Sequence, residues 1–148
     1  MSFAVDANLL VYGSNRDSPY YEASRGFLEE RVRGREIFCI AWQTAMAYLR
    51  IVTHRQILPS PLSPREALRN LAALEALPHV RMLGELKGFL SAYVEATGGE
   101  PLRGNLVPDA HLAAVLLQHD VRTLYTHDSD FRRFSFLDVR NPLAAKGP

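Results

Sequence analysis

The chain has almost no cysteine, almost no lysine and no long apolar run. Its one cysteine, Cys39, excludes an intrachain disulfide and a thiolate zinc cluster. Set inside Ile37-Phe38-Cys39-Ile40, it reads as a buried, inert thiol of a reducing compartment. The longest strongly apolar stretch, Ala110 to Leu117, contains His111 and is far too short to span a bilayer. The N-terminus lacks a basic region, and Asp6 interrupts its short apolar run, which argues against a signal peptide; a cytoplasmic chain with no membrane partner is expected. Net charge is only +1, so electrostatics alone do not announce a nucleic-acid binder. Of 17 basic side chains only Lys87 and Lys146 are lysines. Arginine suits bidentate phosphate contacts, but a GC-rich genome gives the same bias, and that explanation carries more weight. There is no Gly-x-Ser-x-Gly elbow and no Gly-x-x-x-x-Gly-Lys phosphate loop.

What is present is one domain's worth of sequence: 148 residues, 47% hydrophobic, with a mean hydropathy of -0.10, both globular values. Short apolar strands are expected at Ser2–Val5, Ile37–Ile40, Val80–Leu83, Val121–Tyr125 and Leu137–Val139. Between them the pattern predicts a helical turn at Leu9–Val11 and helices from Pro19 to Arg33 and Trp42 to Thr53. Further helices are expected from Pro64 to about Ala76, Glu85 to Ala96, and Asn105 to about Gln118. Ser63-Pro64-Arg65-Glu66 has the form of a capped helix start, Asn105 is a plausible N-cap, and Asp128 or Ser129 is placed to cap a short turn through Arg133. Strands alternating with helices indicate an α/β domain of parallel βαβ units, in which sites form beyond the carboxyl ends of the strands. The domain is expected to span residues 1–142, with a loose tail at 143–148.

Three stretches place carboxylates at such ends: Val5-Asp6-Ala7-Asn8, Pro108-Asp109-Ala110-His111, and His127-Asp128-Ser129-Asp130. Each acid taken singly has a plain structural role. Asp6 and Asp128 are good helix caps, and Asp109 in a first helical turn complements the helix dipole. Together they map to one sheet edge. Assembling like charges raises each one's pKa, and a hard divalent cation such as Mg²⁺ removes that cost. His111 and His127 lack a companion histidine at i+3 or i+4, so a zinc site is disfavoured. The pattern points to metal-dependent phosphodiester cleavage.

Four segments, Val-Asp-Ala-Asn-Leu-Leu (5–10), Ala-Tyr-Leu-Arg-Ile-Val-Thr (47–53), Gly-Asn-Leu-Val-Pro-Asp-Ala-His-Leu-Ala-Ala (104–114) and His-Asp-Ser-Asp-Phe (127–131), resemble the PIN-domain ribonucleases. More narrowly, they resemble the VapC toxins of bacterial type II toxin–antitoxin pairs. The resemblance implies a three-layer αβα sandwich around a parallel sheet of about four to five strands. It also implies Mg²⁺-dependent RNA cleavage (Mn²⁺ an alternative) by a metal-activated water, leaving a 5′-phosphate. The partners it implies are an RNA substrate, a small VapB-type antitoxin and a second copy of the chain. By position, Asp6, Asp109 and Asp128 match the acidic metal site, Asp130 an additional acid, and Asn8 a residue that orders the site. Arg50, His54, Arg55 and Arg132, with Arg133 beside it, are candidates to hold the RNA backbone.

One departure stands out. Where the family usually reads Glu-Phe-Leu-Arg, this chain has Ala47-Tyr48-Leu49-Arg50, so the glutamate expected at 47 is missing. A methyl group cannot support a water or accept its proton, and an attenuated enzyme is expected. A natural variant and a substitution that relieves toxicity both account for it, the intact surroundings favouring the second. The alternative function is a non-catalytic PIN-like module that binds RNA or protein. A haloacid-dehalogenase-type phosphatase needs an acid two residues after Asp6, where Asn8 stands.

Overall fold

Strand β1 (Ser2–Val5) and strand β2 (Ile37–Ala41) are buried on both faces, the mark of central strands in a parallel sheet. The computed structural model describes residues 1–143. In it, β1 leads into a short helix α1 (Ala7–Tyr12), followed by α2 (Tyr21–Arg33), β2, α3 (Trp42–Val52), α4 (Pro64–Glu75) and β3 (Val80–Leu83). Next come α5 (Phe89–Ala96), α6 (Leu106–Gln118), β4 (Thr123–Tyr125), a 3-10 turn at Ser129–Arg133, and β5 (Asp138–Arg140). The five strands pair in the order β3-β2-β1-β4-β5, all parallel. The α/β sandwich and the strand count match expectation.

Alternation along the strands assigns the two faces. Phe3, Val5, Phe38, Ile40 and Val80 point into one core with α1, α2, α3 and α4. Ala4, Cys39, Ala41, Leu83 and Leu124 point into the other, where α5 and α6 lie. The second face is lined by small side chains. Ala110, Ala113 and Ala114 of α6 meet it, all fully buried, so this helix lies close against the sheet. Cys39 is 2% exposed, and burial pushes its thiol up, as expected for an inert core cysteine.

Ser63 caps α4, its Oγ accepting from the Glu66 N–H at 3.1 Å. Asp128 caps the 3-10 turn by accepting from the Asp130 N–H at 2.9 Å. Asn105 occupies the N-cap position of α6 but makes no side-chain capping bond. The helix expected from Glu85 begins only at Phe89. Gly88 stands before it at φ +80°, a left-handed conformation that breaks a helix and that glycine adopts without strain. Residues 84–88 are instead tied to α6, where Gln118 receives the Leu86 N–H and His119 reaches the Gly84 carbonyl. Strands β4 and β5 are displaced by one or two residues from their expected bounds, since only residues in register with a neighbour join the ladder.

Leu143, expected to begin a loose tail, is half-buried against the α1–α4 core; residues 144–148 lie outside the described residues. Among the described residues, no helix is long and apolar enough to cross a membrane.

Candidate functional site

The strand order fixes where a site can form. From β1 the chain proceeds outward to β2 and β3 on one side, and β4 and β5 fill the other. The order therefore reverses between β1 and β4, and in such sheets the crevice at the carboxyl end of the reversal receives ligands. Asp6 follows β1 directly, and Thr126 to Asp128 follow β4. The Asp6 N–H donates to the Tyr125 carbonyl at 3.0 Å, which extends the β1–β4 ladder to the crevice lip. Helix α6 runs back along the sheet toward the start of β4, so its first turn, with Asp109, lies at the same edge.

One oxygen each from Asp109, Asp128 and Asp130 lies within 4.8 Å of the others. These side chains arrive from α6, from the end of β4 and from the 3-10 turn. Asp109 is half-buried, and its carboxyl is pushed up to about 6. Burial is the largest cause, followed by the charges of Asp128, Asp6 and Asp130, while Arg133 opposes them. Asp6 adjoins this trio, close enough for its charge to act on Asp109, without belonging to the tight group. Burial also raises the Asp6 carboxyl, against two hydrogen bonds that lower it, with Asp128 adding a further push.

Those bonds define a hub that the sequence did not reveal. The Thr126 hydroxyl, in a residue only 1% exposed, donates to Asp6 Oδ2 at 2.8 Å. It accepts from Asn8 Nδ2 at 3.3 Å and from the Asp128 N–H at 3.0 Å. Asp6 Oδ1 accepts from the Ala7 N–H at 2.7 Å, so Asp6 caps α1 and faces the site at once. One hydroxyl thus links the first acid, the first asparagine and the last loop. The one available signal was a threonine directly after an apolar strand, a pattern common in ordinary strands.

Asn8 stands at this hub, and its Oδ1 is a buried acceptor with no partner among the described residues. Gln43, in the first turn of α3, is a second residue that sequence reasoning missed. Its Nε2 donates to the Pro108 carbonyl at 2.9 Å, pinning the backbone beside Asp109. Ala47 lies one turn further on the same helix face and is half-buried, so the expected glutamate would have projected along the side of α3 that meets the Asp109 turn.

The basic candidates divide. Arg132 and Arg133 are exposed and stand two and three residues after Asp130. Arg50, His54 and Arg55 lie at the end of α3 and beyond it. At about 1.5 Å per residue, Arg50 is roughly 10 Å along the axis from Gln43 and the acidic edge. His54 Nδ1 accepts from the Gln56 N–H. His111 pairs with Glu85 at 2.5 Å, and His127 packs against tyrosines; neither belongs to the carboxylate trio.

An all-oxygen set of mutually repelling carboxylates, with Asp109 and Asp6 raised by burial, is the chemistry a hard divalent cation satisfies, and the residues present fit such an ion.

Comparison with known proteins agrees with this architecture. The PIN domain family model matches residues 3–137. Ribonuclease VapC48 of Mycobacterium tuberculosis is 38% identical over 144 residues, covering 97% of this chain and 99% of the relative. Ribonuclease VapC43 of the same species is 32% identical over 139 residues, 94% of each chain. Among solved structures, VapC20 of M. tuberculosis, described as a sarcin–ricin loop cleaving toxin, superposes with a TM-score of 0.68 at 16% identity. That match covers 93% of this chain and 98% of the other. VapBC2 of Rickettsia felis, bound to a promoter DNA fragment, gives 0.63 at 17% identity, covering 95% and 98%. At these identities the structural matches speak for the fold.

Proposed function

The chain belongs to the PIN-domain family, in its VapC ribonuclease branch, and from that premise we propose that it is the RNA-cleaving toxin of a toxin–antitoxin pair. The observation that carries the reading is the convergence of Asp109, Asp128 and Asp130 to within 4.8 Å beside Asp6, which lies more than a hundred residues earlier in the chain. Asp109, Asp128 and Asp130 would hold one divalent cation, Mg²⁺ or Mn²⁺. Each Asp6 oxygen keeps a lone pair beyond its present hydrogen bond, so Asp6 can join them. Such a cation supplies Lewis acidity toward the scissile phosphate and neutralises charge that would otherwise repel RNA.

The chain's own residues do the rest. Thr126 fixes the Asp6 carboxylate and the Asp128 backbone in one frame. Asn8 completes that frame, and Gln43 holds the turn that presents Asp109. Arg133, whose charge already reaches Asp109, and Arg132 flank the pocket on the side where a phosphate backbone can lie, a contact that orients RNA without selecting sequence. Arg50, His54 and Arg55 would meet RNA only further along its path.

The partner surface we assign to the antitoxin is an apolar groove of about 410 Å³ between α2 and α4, lined by Leu28, Val32, Leu71, Leu74 and Leu77. It suits the apolar face of an amphipathic helix, and Arg25, Glu29 and Arg33 give its rim both signs of charge. Trp42 and Met46 on α3, with Leu90 and Val94 on α5, are large apolar side chains left exposed, and a second copy of the chain is their expected cover.

Ala47 favours a second reading, a PIN module that binds RNA without cutting it. Incubating total RNA with the protein and with Ala47→Glu, in Mg²⁺, Mn²⁺ or chelator, separates the two. Cleavage that the chelator abolishes supports the nuclease. Mn²⁺ binding by calorimetry with intact RNA in both proteins supports the module.

A further inference from the structure

Three aromatic rings border the acidic crevice and take no part in either core. Tyr12 ends α1, Tyr20 directly precedes α2, and His127 lies between Thr126 and Asp128. Tyr20 and His127 have ring centroids 4.6 Å apart, Tyr12 and Tyr20 5.0 Å, and Tyr12 and His127 5.9 Å in an edge-on arrangement. All three are only partly buried, and neither buried cluster of the sandwich includes them.

Each ring is held from its own side. The Asn141 side chain lies 3.2 Å from His127 Nδ1, the Ser18 hydroxyl accepts the Tyr20 N–H at 3.1 Å, and α1 fixes Tyr12. The cluster is also electrically part of the site: burial, then Tyr20, then the Asp6 carboxylate raise the Tyr12 phenol. No lysine or arginine belongs to the trio, so it offers no charge to hold a phosphate. The surface therefore suits a neutral, flat, apolar group. His127 directly precedes Asp128, so a base next to a phosphate held at the acids would lie within reach of these rings, and unpaired bases are bound by stacking on Tyr and His side chains.

We propose that Tyr12, Tyr20 and His127 form a stacking platform for one unpaired nucleobase next to the scissile phosphate. This rests on the ribonuclease reading and adds to it a base-binding surface beside the acids. Paired RNA would be excluded because its bases cannot reach the rings.

The test uses a fluorescein-labelled octa-adenylate and eight versions of it, each with one abasic nucleotide. Binding is measured by anisotropy on the full chain, with a gel confirming intact RNA, and total-RNA cleavage is followed in parallel. Loss of the base at one position is expected to weaken binding about fivefold or more. Tyr20→Ala should erase that difference and Tyr20→Phe should keep it, since the ring and not the hydroxyl stacks. In the unmodified protein, 2-aminopurine at the same position should be quenched on binding, a readout that does not depend on any variant folding. If total RNA is cut but no abasic position matters, or the difference survives Tyr20→Ala, or 2-aminopurine is not quenched, the platform is refuted and the ribonuclease stands. If RNA is neither bound nor cut, both fall together.

Discussion

Replacing Asp109 by Asn should make the metal-free protein more stable at pH 7.5 and less able to use a cation. A carboxyl raised from 3.8 to about 6 carries, when ionised, a native-state penalty of roughly 3 kcal/mol at about 1.4 kcal/mol per tenfold in proton affinity. Asp109 is only half-buried, so solvent screening reduces the usable part to about 1 kcal/mol. For a domain of this size that is about 2–4 °C in melting temperature. In chelator, Asp109→Asn should therefore melt above the unmodified protein. The sign follows from proton linkage. A raised carboxyl contributes stability that is fully present below its unfolded pKa and lost as pH rises through its folded one. The unmodified protein should thus close the gap as pH falls from about 6 toward 4, where Asp109 regains its proton. Adding Mn²⁺ at about a hundred times its Kd should stabilise the unmodified protein by about 2.7 kcal/mol and the variant by much less, inverting the order. Melts followed by circular dichroism in chelator and in Mn²⁺ read all three effects. A variant that melts lower in chelator, with equal cation shifts in both proteins, would refute the electrostatic account of the site.

Ala47→Glu should raise cation-dependent cleavage of total RNA by about tenfold or more, the usual worth of a residue that supports a metal site; unchanged cleavage would remove position 47 from the chemistry. Thr126→Val keeps the shape but strips Asp6, Asn8 and the Asp128 N–H of their shared partner. It should cost about 1–3 kcal/mol in urea unfolding and weaken Mn²⁺ binding in calorimetry. Ser63→Ala should cost about 1 kcal/mol through the lost α4 cap while leaving Mn²⁺ affinity unchanged, which makes it the control for Thr126→Val. Leu74→Arg puts a charge into the groove between α2 and α4 and should abolish capture of a coexpressed antitoxin without reducing RNA cleavage.

The sequence by itself determined what depends on neighbours along the chain. The apolar runs at Ser2–Val5 and Ile37–Ile40 are buried strands because a parallel sheet covered on both faces demands continuous hydrophobicity. Ser63 before Pro64 starts a helix because the hydroxyl meets an N–H three residues on. Asp6, Asp109, Asp128 and Asp130 could be named because acids after strand ends and in a first helical turn, ordinary caps when taken singly, fall together at one edge of a parallel sheet. Helix α5 was mistaken at its start because Glu85 to Lys87 carry helical side chains while Gly88 and the bonds from α6 hold that segment otherwise.

Only the tertiary structure decided which groups meet. Strand order, not sequence spacing, brings β1 beside β4 and so sets the Thr126 hydroxyl between Asp6 and Asp128, residues apart by more than a hundred positions. It also separates the tight trio from Asp6, puts Gln43 against the Asp109 turn, and gathers Tyr12, Tyr20 and His127 at the crevice. Each of these arrangements joins groups that no local pattern couples. A propensity acts over a few residues, whereas a site is made by the closure of long loops whose ends are selected by the packing of the whole sandwich.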